Sequence, residues 1–209
     1  MASRYFAVVP AAGRSVRMGQ AKLLLPWATG TLVEHVLGAW RGSRVTATVI
    51  VVHPDVRELT AVSRRAGVEV LVANEPPPDM KASVALGLRY WSETRHLTAA
   101  DSWLVAPADL PLLESRTIDA VLAAHEPTDS RIVVPTDPVG KRSHPVLFPW
   151  PLADEVPRLP AHEGLKSLLA QHPVHEISVP WLVPSADVDT PEDYRRLRDR
   201  YDRNDRPRP

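Results

Sequence analysis

The chain has 209 residues, 44% of them hydrophobic and 24% charged, which suits one globular domain of ordinary size. Its 25 basic and 25 acidic residues cancel, so no global field draws it to nucleic acid or to an anionic membrane, and any anion site has to be local. With no cysteine, disulfides and thiolate metal sites are excluded, and 22 prolines spread along the chain imply many stiff loops.

In chain order, YFAVVP (5–10) is predicted as a buried strand closed by proline. TLVEHVLGAWRG (31–42) is a helix, with Thr31 and Glu34 at capping-box spacing and Gly42 as its stop. TATVIVVHP (46–54) is a β-branched strand. DVRELTAVSRRAG (55–67) is a helix with Asp55 as N-cap and Gly67 as stop, and VEVLVAN (68–74) is a third strand. MKASVALGLRYWSETRHL (80–97) is a longer helix, and SWLVAPADLP (102–111) a fourth strand with a polar end. SRTIDAVLAAH (115–125) is a helix and RIVVPT (131–136) a fifth strand. Less regular sequence follows: HPVLFP as a strand, EGLKSLLAQHP as a helix, VHEISVP as a strand. TPEDYRRLRDRY (190–201) closes the chain as a helix, with Thr190 as N-cap and Pro191 at N1. The alternation predicts an α/β fold with a mostly parallel sheet and helices on both faces. Residues 1–197 form one domain in this reading, and 198–209 a charged, frayed tail. The apolar runs are too short to span a bilayer and the N-terminus lacks the features of a secretory signal, so the cytoplasm is the expected location.

Ligands of such sheets bind beyond the carboxyl ends of the strands. Polar clusters fall there at 11–22, 79–87, Asp109, and Asp187 with Asp189. The first, VVPAAGRSVRMGQAKLLLP (8–26), holds two glycines and three cationic side chains without a carboxylate. Gly13 and Gly19 let backbone amides approach an anion, and Arg14, Arg17 and Lys22 add charge, a combination suited to polyphosphate. The spacing is neither Walker A nor G-x-G-x-x-G. Solvated basic residues in an ordinary strand-to-helix loop are the plainer alternative. Asp187 and Asp189 flank Val188 and share a face if extended, although they could equally favour the helix dipole of the segment that follows. His35 and His53 read as structural, and the arginines of the last helix as a solvated face.

PAAGRSVRMGQAKLLLP resembles A-A-G-x-S-x-R-M-G-x-x-K-L-L-L-P of the MobA-like nucleotidyltransferases, and of their molybdopterin cytidylyltransferase branch in particular. DMKASVALG is similar to G-M-x-x-S-L-x-x-G, PADLP to G-D-M-P, RSHPVLF to R-G-H-P-V-L-F, and DVDTPEDY to D-I-D-T-P-E-D-L. The resemblance implies a three-layer α/β/α Rossmann-like nucleotidyltransferase fold of GT-A type. It implies transfer of a nucleoside monophosphate from NTP to a phosphorylated acceptor with release of pyrophosphate. The donor would be CTP, because Ala12 completes A-A-G rather than A-G-G, and the acceptor molybdopterin or its Mo-loaded form. It also implies Mg²⁺ held by Asp109 with Asp187 or Asp189. Arg17 and Lys22 would hold the triphosphate, with Ala11, Ala12, Gly13, Arg14, Ser15, Gly19 and Ser83 around the nucleotide. Arg142 and His144 would meet the acceptor phosphate. An apo-molybdoenzyme is the implied macromolecular partner, with no nucleic acid and no membrane. Other readings are a different NTP with a sugar phosphate or another acceptor, and an inactive nucleotide-binding partner of a molybdoenzyme. Ala21, Ala108, Ser143, Asp79 and Trp27 depart from the pattern, and EPPPD (75–79) is a stiff lead into the base-binding element. Asp79 would place negative charge beside the triphosphate.

Overall fold

The computed structural model describes residues 3–13, 21–126, 128–183 and 187–204. Strand β1 (Tyr5–Ala11) is followed by a 3-10 turn (Lys22–Leu24) and a two-stranded hairpin, β2 (Pro26–Trp27) with β3 (Gly30–Thr31). Then come α1 (Leu32–Arg41), β4 (Ala47–Val52), α2 (Arg57–Arg65), β5 (Glu69–Val72), α3 (Met80–Thr94) and β6 (Ser102–Val105). The chain continues through α4 (Ser115–Ala123), β7 (Ile132–Thr136), β8 (Val146–Pro149), α5 (Lys166–Gln171), β9 (Val174–Ser178) and α6 (Pro191–Asn204). Seven strands form one sheet in the order β5-β4-β1-β6-β8-β7-β9. The β1–β4, β1–β6, β4–β5 and β7–β9 pairs are parallel, while β8 runs antiparallel to both β6 and β7. Among the described residues no helix is long and apolar enough to cross a membrane.

Period-two alternation sends successive side chains of each strand to opposite faces. Ala7, Val9 and Ala11 of β1 enter one core with Leu32, Val36 and Trp40 of α1, Ile118 of α4 and Leu197 of α6. Phe6 and Val8 enter the other with Val84, Leu88 and Trp91 of α3 and Leu168 of α5. The result is three layers, helices on each side of a buried sheet, as the sequence predicts. Where α3 crosses β1 the backbones come close: a Cβ on Gly87 would lie 2.5 Å from Val8 Cγ1.

The predicted caps hold at two helices. Thr31 and Glu34 form a reciprocal capping box on α1. Thr190 and Asp193 do the same at α6, with the Asp193 amide donating to Thr190 Oγ1 and the Thr190 amide to Asp193 Oδ2. At α2 the expectation is corrected. Val56, not Asp55, is the N-cap and no side chain caps it: a turn in which the Val56 amide donates to the His53 carbonyl at 3.3 Å leaves Asp55 ahead of the helix start, its own amide donating to His53 Nδ1 at 3.1 Å. Gly67 ends α2 at φ +76, a left-handed conformation that suits glycine. Helix α6 continues past residue 197 to Asn204.

Candidate functional site

A cleft of about 500 Å³ opens at the carboxyl ends of β1, β4 and β6. The turn after β1 supplies Ala11, Ala12 and Gly13, the 3-10 turn supplies Lys22, the start of α3 supplies Asp79 and Ser83, and the segment after β6 supplies Asp109. Every predicted nucleotide-contacting residue within the described residues therefore lines one cavity. Arg14, Ser15, Arg17 and Gly19 lie outside the described residues. The larger groove, about 930 Å³, runs between the β2–β3 hairpin, α1, the loop before α4 and the end of α6, and contains none of the predicted site residues.

Backbone pairing fixes Asp109 in place. The Ala108 amide donates to the Pro10 carbonyl at 3.3 Å, and the Asp109 carbonyl accepts from the Val188 amide at 3.0 Å. One residue is thus clasped between the end of β1 and the segment leading to α6, which lies far along the chain. Lys22 completes the junction. Its ammonium donates to Asp109 Oδ2 at 2.6 Å, to the Val188 carbonyl at 2.8 Å and to Asp189 Oδ1 at 3.1 Å. Lys22 and Asp109 are only 15% and 18% exposed, so the pair is largely shielded from solvent screening. Burial works against the Lys22 charge, but Asp109 and then Asp189 outweigh it, and the net pKa is raised. Lys22 therefore stays cationic at any physiological pH.

Asp109 Oδ1 is buried and has no hydrogen-bond partner. A buried carboxylate oxygen left open in this way fits a hard cation, which takes oxygen ligands. Among the described residues no group of three or more His, Asp or Glu side chains is gathered to hold an ion. The carboxylates present suit the mode in which a divalent ion is held by one or two of them and by phosphate oxygens of the substrate.

The other predicted positions fall differently. Asp187 is exposed, whereas Asp189 turns in to Lys22. Ser83 is buried and its hydroxyl donates to the Asp79 carbonyl at 3.3 Å within the first turn of α3. Asp79 caps α3, its carboxylate accepting from the Ala82 amide at 2.7 Å, so the charge expected to repel a triphosphate is partly engaged by a helix terminus. Arg142 is not in the cleft wall: its guanidinium is gripped by Glu176 on β9 at 2.7 Å. The His144 ring is held by the Val105 carbonyl, and its Nδ1 is buried without a partner. Like Arg142 it is not in the cleft wall, and burial lowers its pKa despite the pull of Val105, Asp109 and Asp187, which favours the neutral imidazole over the cation.

Sequence reasoning missed two parts of this site and named a third. His53, read as structural, lines the cleft with its Nδ1 engaged by the Asp55 amide. Pro76, Pro77 and Pro78, read from the sequence as a stiff lead into the base-binding element, line the cleft as well. The Val188 carbonyl carries no sequence signal at all.

Comparison with known proteins agrees with this geometry. The model of the MobA-like NTP transferase domain matches residues 7–177. Over 150 residues the chain is 28% identical to a protein of Bacillus thuringiensis (strain Al Hakam) named probable molybdenum cofactor guanylyltransferase, covering 69% of this chain and 67% of that protein. The crystal structure of Rv0371c from Mycobacterium tuberculosis H37Rv superposes with a TM-score of 0.79 at 29% identity, over 94% of this chain and 99% of that one. A structure of Rv0371c in complex with manganese superposes with a TM-score of 0.75 at 27% identity, over 95% and 100%. With the cleft, the fold and the match in agreement, the chain belongs to the MobA-like NTP transferase family and is a nucleotidyltransferase.

Proposed function

We propose that the protein transfers CMP from CTP to the phosphate of molybdopterin or Mo-molybdopterin, with Mg²⁺ and with release of pyrophosphate, making a cofactor for an apo-molybdoenzyme. One observation carries the reading: Lys22, Asp109 and Asp189, from three distant parts of the chain, meet within 3.1 Å at a cleft lined by Ala11–Gly13. An acceptor phosphate oxygen attacks the α-phosphorus, the bond from that phosphorus to the α,β-bridging oxygen breaks, and pyrophosphate leaves with the electron pair. A phosphomonoester is largely dianionic at neutral pH, so no general base is needed. Catalysis is then positioning and charge neutralisation. The amides of Ala12 and Gly13 would receive the phosphates and Lys22 the leaving pyrophosphate. Asp109 would hold the metal ion, with Asp189 or Asp187 beside it, and the ion would supply charge neutralisation at the phosphoryl oxygens. Arg17 would add a guanidinium to the triphosphate, and Arg142 would need to leave Glu176 to meet an acceptor.

Ala12 supports CTP: its methyl lines the cleft where the resembling guanylyl pattern has glycine. A second reading, GTP as donor, is favoured by the guanylyltransferase name of the Bacillus thuringiensis relative. One methyl separates the two by only about 1–3 kcal/mol. Pyrophosphate release measured with Mg²⁺, molybdopterin and each of CTP, GTP, ATP and UTP distinguishes them. CTP-dependent release supports the first reading and GTP-dependent release the second. Nucleotide binding without release from any of the four favours the inactive nucleotide-binding reading or a different acceptor, and absence of nucleotide binding removes the proposal altogether.

A further inference from the structure

A lysine ammonium has three N–H donors. In this structure all three have an oxygen: Asp109 Oδ2, the Val188 carbonyl and Asp189 Oδ1, at 2.6, 2.8 and 3.1 Å. Lys22 thus has no proton left to offer a phosphate. The two carboxylates that grip it are also the ones a divalent ion would need, and one oxygen of Asp109 stays buried and open beside them. From these contacts we infer that Lys22 is a resident counter-cation. It occupies the carboxylate seat until a divalent ion displaces it, and the displaced ammonium is then free to take the triphosphate. Metal binding and phosphate binding by Lys22 become two halves of one exchange.

The charges agree. Lys22 sets a positive charge between the negative charges of Asp109 and Asp189 and holds the two carboxylates together. A divalent ion arriving alone must break three charge-assisted bonds, whereas one arriving with a triphosphate gives Lys22 new oxygens in the same step. Lys22 is in this sense a positioning residue, tying the segment before α6 to the end of β6, as well as a phosphate ligand. The inference rests on the reading of Asp109 and Asp189 as metal ligands.

Mn²⁺ binding, followed by electron paramagnetic resonance without nucleotide, tests it in wild type and in Lys22→Met. The variant should bind Mn²⁺ about tenfold more tightly or better, because the competing ammonium is gone. Equal or weaker binding by a folded Lys22→Met protein overturns the inference. Amine-directed labelling of the wild type, read at Lys22 by mass spectrometry, needs no variant. Mn²⁺ alone should speed labelling at Lys22 severalfold, and an unchanged rate overturns the inference even if Lys22→Met does not fold. Nucleotide-dependent pyrophosphate release by the wild type alongside either negative result would leave the proposed reaction standing and remove only the exchange.

Discussion

Replacing Asp109 by Asn keeps the size of the side chain and removes the charge that Lys22 and a metal ion both need. Lys22 retains Asp189 and the Val188 carbonyl, so the fold should survive. Pyrophosphate release should fall by about a hundredfold or more, the scale on which preorganised charge acts in such sites, and the melting temperature by only a few degrees. Near-normal turnover would remove Asp109 from the reaction. Asp79 tests the opposite sign. Asn also caps helices well, so Asp79→Asn keeps the bond to the Ala82 amide and removes a negative charge from the cleft wall. At partial screening a unit charge in such a wall is worth about 1 kcal/mol. Nucleotide affinity should therefore rise by about fivefold with little change in melting temperature, and weaker binding would show that the carboxylate itself contacts the ligand. That Lys22, Asp109, Ser83 and the Ala11–Gly13 turn share one cleft was legible in the sequence, because each falls at or just beyond the carboxyl end of a predicted strand or at the start of the helix that follows. The Glu176 partner of Arg142 was not legible, because a guanidinium looks the same on paper whether it faces a ligand or a carboxylate. His53 was passed over because the bond that turns its ring comes from a backbone amide, on which the sequence is silent.

At the scale of elements, α3 must lie close against β1 for Asp79 and Ser83 to reach the cleft. Gly87 allows that approach, and its missing Cβ would sit 2.5 Å from Val8 Cγ1 and 3.4 Å from Val51 Cγ2. Gly87→Ala gains helix propensity of about 1 kcal/mol but forces this contact, which costs about 1–3 kcal/mol. A net loss of stability is expected in thermal unfolding. Val8→Ala combined with Gly87→Ala should be less destabilising than the sum of the two single changes, since the methyls in collision are gone. Strict additivity would show that α3 does not press on β1 at this point. The strands and helices themselves were legible because hydrophobic periodicity and caps are local. The direction of β8 was not: HPVLFP reads as an apolar run whichever way it is laid, and only its place between β6 and β7 makes it antiparallel. The N-cap of α2 was misjudged for a related reason, since Asp55 has the right side chain but sits inside the turn that the Val56 amide closes on the His53 carbonyl.

Across the whole molecule, the cleft sits at one end of the sheet and a second polar cluster closes the other. His125, just after α4, places Nε2 3.2 Å from Ser102 Oγ at the start of β6 and Nδ1 3.4 Å from Tyr5 OH at the start of β1. The ring is buried, and burial lowers its pKa although Asp129 and Glu126 pull the other way. The folded protein therefore holds His125 neutral where the unfolded chain, with an ordinary value near 6.5, takes a proton. The stability this contributes is complete above about pH 6.5 and is lost as the pH falls through the folded value, because the unfolded state binds more protons in that window. A separate loss belongs to the acid range. Glu34, held by Thr31, and Asp129 and Asp193, held by Arg131 and Arg196, have lowered pKa values, and so does Asp101, where Arg4 and Thr98 outweigh burial. These carboxylates lose their contribution only below about pH 4.5. Melting temperature measured from pH 8 to pH 3 should fall in two stages. In His125→Gln the protein should be less stable at pH 8, having lost the fit to Ser102 and Tyr5, and its decline between pH 7 and pH 5 should become shallower, the remainder belonging to His144, whose pKa burial also lowers, while the lower stage remains. An unchanged upper stage in that variant would assign the loss to another group and leave His125 as a packing residue that joins α4 to the ends of β1 and β6.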